Sequence, residues 1–173
     1  MNIILEGCDC VGKTTLAQFL VDYDNYSIFK FNIPRGETKE QQEAFAKQSY
    51  YNELDRIKQS NSLVYDRFYL GEFIYAPLLR GYTPQYQHDL ENKLNSNKII
   101  LAVLTADVSK IKERFDHKVL KPEQLDYVNT QYIKKFNESR IFNKILLDTT
   151  HSTPEHTYAQ LKRFMLDVDY ALF

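Results

Sequence analysis

The chain has no tryptophan, only two cysteines, and no surplus of charge of either sign among its 173 residues. Two cysteines are too few for a zinc site. Cys8 and Cys10 sit two residues apart, poorly placed for an unstrained disulfide, and reduced thiols fit a cytoplasmic protein. A formal net charge of −1 excludes the broadly basic surface of a nucleic-acid binder, but not a local basic patch. Long apolar runs are also missing. The first apolar stretch stops at Glu6, so neither a signal peptide nor a membrane-spanning helix is expected. The four histidines, His88, His117, His151 and His156, have no ligand spacing, and no nucleophile–base pair is visible. Repeats, linkers and low-complexity tracts are absent.

What is present is ordinary in bulk and specific at one point. The hydrophobic fraction is 43% and the charged fraction 26%, as expected for one globular domain with a sizeable core. Aromatic residues make up 14%, all Tyr and Phe. Most are expected in the core or half-buried, with a few free to stack on a base. The specific point is Gly7-Cys8-Asp9-Cys10-Val11-Gly12-Lys13-Thr14, which fits G-x-x-x-x-G-K-[ST]. It follows a short apolar strand, Asn2 to Leu5, and precedes a helix carrying Leu16, Phe19 and Leu20. That order converges backbone amides and a helix N-terminus on one anion. Gly7, Cys8, Cys10, Val11, Gly12 and Thr15 are thus expected to cradle the phosphates of a nucleoside triphosphate. Lys13 would reach the terminal phosphates, and the Thr14 hydroxyl would hold Mg²⁺.

Strands and helices alternate along the chain. Strands are expected at Asn2–Leu5, Tyr26–Phe31, Leu63–Tyr65, Lys98–Thr105 and Ile145–Leu147. Helices are expected after the loop, over Glu37–Gln59 (stripe Phe45, Tyr50, Leu54, Ile57), Tyr69–Leu79, Pro84–Asn95 and Asp107–Phe115. Two more follow Pro122 (Leu125, Val128, Tyr132, Phe136) and Thr153-Pro154 (Tyr158, Leu161, Met165, Val168, Leu172). The pattern predicts an α/β fold: a five-stranded parallel sheet with helices on both faces and all strand C-termini on one ligand-binding rim.

Asp66-Arg67 closes the third expected strand and so belongs on that rim. Asp66 would serve the metal shell, directly or through water, or orient an acceptor. Arg67 would meet negative charge. Asp9 is unusual, because a carboxylate in a loop built for polyanions repels them. It suits a side chain turned away from the phosphates, toward a neutral acceptor such as a sugar hydroxyl. The chain has seven arginines; Arg35, Arg67, Arg80 and Arg114 stand at element ends or in loops, where cations for phosphoryl transfer are needed. The polar stretch near 114–122, with Arg114, Lys118 and Lys121, is expected to form a short lid.

These residues resemble the thymidylate kinase branch of the nucleoside monophosphate kinases. Glu6-Gly7-Cys8-Asp9-Cys10-Val11-Gly12-Lys13-Thr14-Thr15 matches E-G-x-D-x-x-G-K-[ST]-T at each fixed position. Asp66-Arg67-Phe68 matches D-R-[YF], and Tyr75 is an aromatic equivalent in the next helix. The chain departs at Pro34-Arg35-Gly36-Glu37, where the family has Arg-Pro-Gly-Gly, at Gly71, where it has serine, and in the length of the lid. Such compact versions are similar to phage-encoded deoxynucleotide kinases acting in the host cytoplasm. The resemblance implies ATP and Mg²⁺, a small nucleotide acceptor and a homodimer. It makes Lys13, Asp9, Asp66, Arg67 and Arg114 the catalytic set, with Thr14 and Asp66 for the metal. Asp9 would contact the acceptor sugar and Arg35 its phosphate. Phe68 or Tyr69 would stack on the base, Tyr75 would be a further substrate contact, and Arg80 would lie near the polar edge of the base.

The implied activity is Mg-ATP-dependent phosphorylation of a deoxynucleoside monophosphate, with dTMP or a related pyrimidine as acceptor. A kinase acting on a hydroxymethylated pyrimidine, free or within DNA, or on a deoxynucleoside, stays open. A nucleotide switch or motor is disfavoured. Asn97-Lys98-Ile99-Ile100 and Asn143-Lys144-Ile145-Leu146 lack the final acid of a guanine reader, and no apolar strand ends in Asp-Glu.

Overall fold

In the computed structural model, which describes residues 1–115 and 120–170, five parallel strands form one sheet in the order β2-β3-β1-β4-β5. β1 (Asn2–Gly7) and β4 (Ile99–Thr105) are its centre, and every residue of both is buried. That is why both read as nearly unbroken apolar runs: a strand covered on both faces has no solvent side on which to alternate. β3 (Leu63–Asp66) flanks β1, while β2 (Ser27–Phe29) and β5 (Lys144–Asp148) are the edges and carry exposed residues.

The register sets the rim. Leu5 pairs with Asp66, Gly7 with Leu104, and Thr105 with Asp148, so the C-terminal ends of four strands lie along one rim, with Asp66 level with Leu5 rather than with the end of β1. β1 and β4 run so close that a Cβ on Gly7 would lie 2.3 Å from the Leu104 carbonyl oxygen, and Gly7 has φ +142°. Only glycine meets both conditions.

The chain leaves β1 toward one edge through α1 (Lys13–Asp24) and returns through α2 (Lys39–Gln59). It then passes β1 through α3 (Glu72–Tyr75), which widens into a π turn at Ala76–Arg80, and α4 (Gln87–Leu94). The rim above β1 is therefore a switch point, where the connections diverge and leave a crevice. α5 (Val108–Arg114), a 3₁₀ turn at Pro122–Gln124 and α6 (Leu125–Glu138) join β4 to β5, and α7 (Pro154–Tyr170) follows. α7 packs beside α1, while α6 packs on β1, β4 and β5. Right-handed crossovers put α1 and α6 on opposite faces.

The sheet is as expected, but several boundaries move. The second strand is trimmed to Ser27–Phe29, and Phe31 becomes a cavity wall. The long helix starts at Lys39, after Thr38, whose side chain accepts from the Gln41 amide at 3.2 Å. Its buried stripe is Ala46, Tyr50, Glu53, Leu54 and Ile57; Phe45, one position off that spacing, is 42% exposed. Residues 69–71 are not helical; the Leu70 amide is taken by the Glu6 side chain of β1 at 2.9 Å. Pro84 to Tyr86 precede α4. The lid residues 116–119 and Leu172 lie outside the described residues. No described helix is long and apolar enough to cross a membrane.

Candidate active site

The loop between β1 and α1 bends through positive φ at Gly7 (142°), Cys10 (63°) and Gly12 (93°). Such turns point successive amides inward, and α1 begins at once with Lys13, so the concavity and the helix N-terminus share one focus. Lys13 is 5% exposed, and its ammonium donates to the Cys8 carbonyl. Burial, then the nearby Arg67 charge, lower its pKa to about 8. The Cys8 side chain points into the core, with Sγ 4.0 Å from the Leu125 carbonyl oxygen. Burial raises that thiol to about 11, which makes it a poor nucleophile. Cys8 thus serves the loop through its backbone. Both cysteines are free.

At the rim, Thr14 Oγ1 donates to Asp66 Oδ2 at 2.9 Å. An alcohol and a carboxylate side by side are hard oxygen donors that suit Mg²⁺. No three His, Cys, Asp or Glu side chains gather among the described residues. A metal here would take most of its ligands from water and phosphate, which also suits Mg²⁺.

The segment after β3 carries the second cation. Arg67 has φ +69°, uncommon for a residue with a Cβ. Its amide donates to the Leu5 carbonyl at 2.9 Å, and its guanidinium is ion-paired with Asp9. The misfit of an acid in the phosphate loop is thereby resolved, since Asp9 has its own counter-charge.

Among the described residues, two cavities border this centre. One, of about 390 Å³, is lined by Cys10, Val11 and Gly12 of the loop and Thr15 of α1, with Arg114 and Thr149 facing them. Arg114 donates to the Thr149 carbonyl at 3.2 Å, and the Thr149 hydroxyl donates to the Val11 carbonyl at 3.1 Å. The β5–α7 connection is thus tied to the loop. The other cavity, of about 480 Å³, gathers Arg35, Arg67 and Arg80 against Phe31, Tyr50 and Phe68. Phe31 stacks on Tyr50 at 4.9 Å, and Phe68 meets both edge-on at 5.0 and 5.3 Å. Arg80 is held by Glu72 at 2.7 Å, and Tyr82 also donates to Glu72.

The expected residues therefore fall into three groups. Asp9, Lys13, Thr14, Asp66 and Arg67 meet at the rim. Arg35, Phe68 and Arg80 join Arg67 around the larger cavity. Arg114 stands by the loop and Thr149, at the smaller cavity. Tyr69 is not brought to either cavity: it is fully buried, and its hydroxyl donates to Glu91 at 3.0 Å. Tyr75 is half-buried, its ring 6.4 Å from that of Tyr132. Sequence reasoning missed Glu6 as an organiser, Glu72 as the anchor of Arg80, and Thr149. The signal for Glu6 was a carboxylate inside an apolar strand. Thr149 had no local signal, because it acts through a contact 138 residues away.

No protein-family model and no curated protein matches the chain. Solved structures do match it. YorR from Bacillus subtilis, solved with phosphorylated GDP, is 20% identical with a TM-score of 0.77, over 99% of this chain and 98% of that one. Thymidylate kinase from Candida albicans is 14% identical with a TM-score of 0.70, over 97% and 92%. Deoxyadenosine kinase from M. mycoides, solved with dCMP and dCDP, is 15% identical with a TM-score of 0.66, over 97% and 100%. The chain has the fold of the P-loop nucleoside monophosphate kinases. In this fold the loop, Asp66 and the two cavities lie at the sheet's switch point.

Proposed function

We propose that the protein transfers the γ-phosphoryl group of ATP to a deoxynucleoside monophosphate, with thymidine-like pyrimidines as preferred acceptors. One observation carries this reading: the phosphate loop lines the smaller cavity and is ion-paired to a wall of the larger. Cys10, Val11 and Gly12 line the smaller, and Asp9 grips Arg67, which lines the larger. A donor in the smaller cavity and an acceptor in the larger would present their phosphates to each other across Lys13 and Arg67.

Three arginines around one cavity suit an anionic acceptor better than a neutral alcohol. The aromatic walls suit a base. An acceptor phosphate oxygen is already ionised, so it attacks the γ-phosphorus without a general base. One P–O bond forms as the bond to the β-bridging oxygen breaks, and ADP leaves. Lys13, Arg67 and the loop amides align the two phosphates and offset their charge. Thr14 and Asp66 would hold Mg²⁺, which when bound neutralises charge on the donor phosphates. Arg114 is assigned to the donor side. Nucleotide kinases and nucleotide-bound proteins among the fold neighbours support the reading.

An alcohol acceptor needs a free carboxylate as base, and Asp9 is engaged by Arg67. The test is to incubate the protein with labelled ATP, Mg²⁺ and a panel of nucleosides, monophosphates and hydroxymethylated DNA. Label in nucleoside diphosphates alone is the expected result. Label in a nucleoside monophosphate or in DNA overturns it.

A further inference from the structure

The geometry points to Glu6 as the positioning residue for Arg67: its carboxylate clamps the backbone that holds Arg67 in the left-handed conformation. Glu6 is the penultimate residue of β1 and has no exposed surface. A carboxylate buried in an apolar strand is costly unless its oxygens take hydrogen bonds. Oε1 takes two, from the Phe68 amide at 3.0 Å and the Leu70 amide at 2.9 Å. The Leu5 carbonyl takes the Arg67 amide at 2.9 Å. The end of β1 thus accepts the amides of residues 67, 68 and 70, which fixes the turn between them.

That turn needs fixing. An L-residue with φ +69° is strained and persists only where its surroundings over-determine it. A backbone released to ordinary φ would swing the guanidinium away from Asp9 and from the larger cavity. The Glu6 carboxyl is pulled both ways. Burial raises its carboxyl pKa, while the Phe68 and Leu70 amides, then Arg67 and Lys13, favour the ionised form. Its second oxygen has no hydrogen-bond partner among the described residues. The Tyr132 hydroxyl lies within electrostatic reach of both Glu6 and Arg67. Glu6 itself lines neither cavity, so it acts through Arg67.

The catalytic part of this inference rests on the larger cavity being the acceptor site; the clamp itself does not. Three measurements separate them. Amide exchange on the unmodified protein reads the clamp without any reaction. The Phe68 and Leu70 amides should exchange at least about a thousandfold slower than open-chain amides, and open-chain rates would overturn the clamp. Turnover reads its consequence. Glu6→Ala should lose about thirtyfold or more, and Glu6→Gln, whose amide oxygen still accepts both bonds, should stay within about tenfold of the parent. Equal losses in the two variants would overturn the hydrogen-bonding role. Last, adding Glu6→Ala to Arg67→Ala should cost no more than about threefold beyond Arg67→Ala alone, because residues acting as one unit are not additive. Multiplied losses would make Glu6 merely structural. If the parent protein phosphorylates no monophosphate, the proposed function falls while the exchange measurement still decides the clamp.

Discussion

The Thr14 hydroxyl and the Asp66 carboxylate are hydrogen-bonded at 2.9 Å, across 52 residues of chain. Parallel pairing of β1 with β3 sets Asp66 level with Leu5, and the loop then returns Thr14 to the same height. The pair is the best-placed metal donor set on the rim. Asp66→Asn keeps the size and removes the charge. Turnover is expected to fall at least about a hundredfold, as for loss of a charge-stabilising group. Half-saturating Mg²⁺ should rise, with the far-UV circular dichroism unchanged. Initial rates across a Mg²⁺ series check this, and unchanged turnover would remove Asp66 from the mechanism.

Arg35 stands in an exposed segment that is nevertheless tethered. The Gly36 amide donates to Gln42 Oε1 at 2.8 Å, and Gln42 Nε2 donates back to the Pro34 carbonyl at 3.3 Å. A Cβ on Gly36 would lie 2.5 Å from the Gln42 amide nitrogen, so the turn fits glycine alone. Arg35 is thereby presented to the larger cavity from a fixed base. Arg35→Ala should raise the KM for the monophosphate about tenfold, the worth of one charge-assisted hydrogen bond. The KM for ATP should stay unchanged. Steady-state rates with each substrate varied in turn provide the check, and a shift in the ATP value alone would reassign Arg35 to the donor.

The departure at Gly71 has a structural partner. A Cβ there would sit 3.0 Å from the Tyr132 hydroxyl, which α6 carries in from the far side of the sheet's centre. The space beside Gly71 is closed by a phenol in this chain. Gly71→Ala should therefore destabilise by about 1–2 kcal/mol through overpacking, despite alanine's better helix propensity. Adding Tyr132→Phe removes the crowding oxygen and should recover most of the loss. Urea unfolding of both single variants and the double variant measures the coupling.

Fold and site were legible to different degrees, for physical reasons. β1 and β4 could be read directly because full burial demands apolar runs, and the Gly7–Thr14 loop because positive φ demands glycine at fixed spacing. Asp66-Arg67 followed from its place at a strand end. Of the two alternatives Phe68 and Tyr69, the sequence does not choose, because an aromatic beside a motif looks the same whether it lines a cavity or fills a core; only the buried Glu91 contact sets Tyr69 apart. Phe45 was misplaced by one position, which on a helix turns a side chain through about 100°. Glu72, Thr149 and Tyr132 act through partners far along the chain or on another element, and no local pattern announces such contacts.

Lys13 ties the site to pH. It titrates at about 8 in the folded chain, against an ordinary 10.5, because burial disfavours its charge. Between those values the unfolded chain keeps a proton that the folded chain has released, so the Lys13 contribution to stability rises with pH. Below 8 both forms hold the proton and the contribution is flat. Cys8 works the other way above its ordinary 9.0, being raised to about 11, so the clean window is pH 8 to 9. There the parent should gain on the order of 1 kcal/mol relative to Lys13→Met, measured by urea unfolding at half-unit steps. The same proton governs the donor. In the free enzyme kcat/KM for ATP should fall as pH rises through 8. In the complex, phosphate charges restore the ammonium, so kcat should hold to higher pH. A kcat/KM that stays level through pH 8, or a stability difference that stays level from 8 to 9, would show that Lys13 is fully charged throughout, and parallel decline of both parameters would show that bound phosphates do not restore the ammonium.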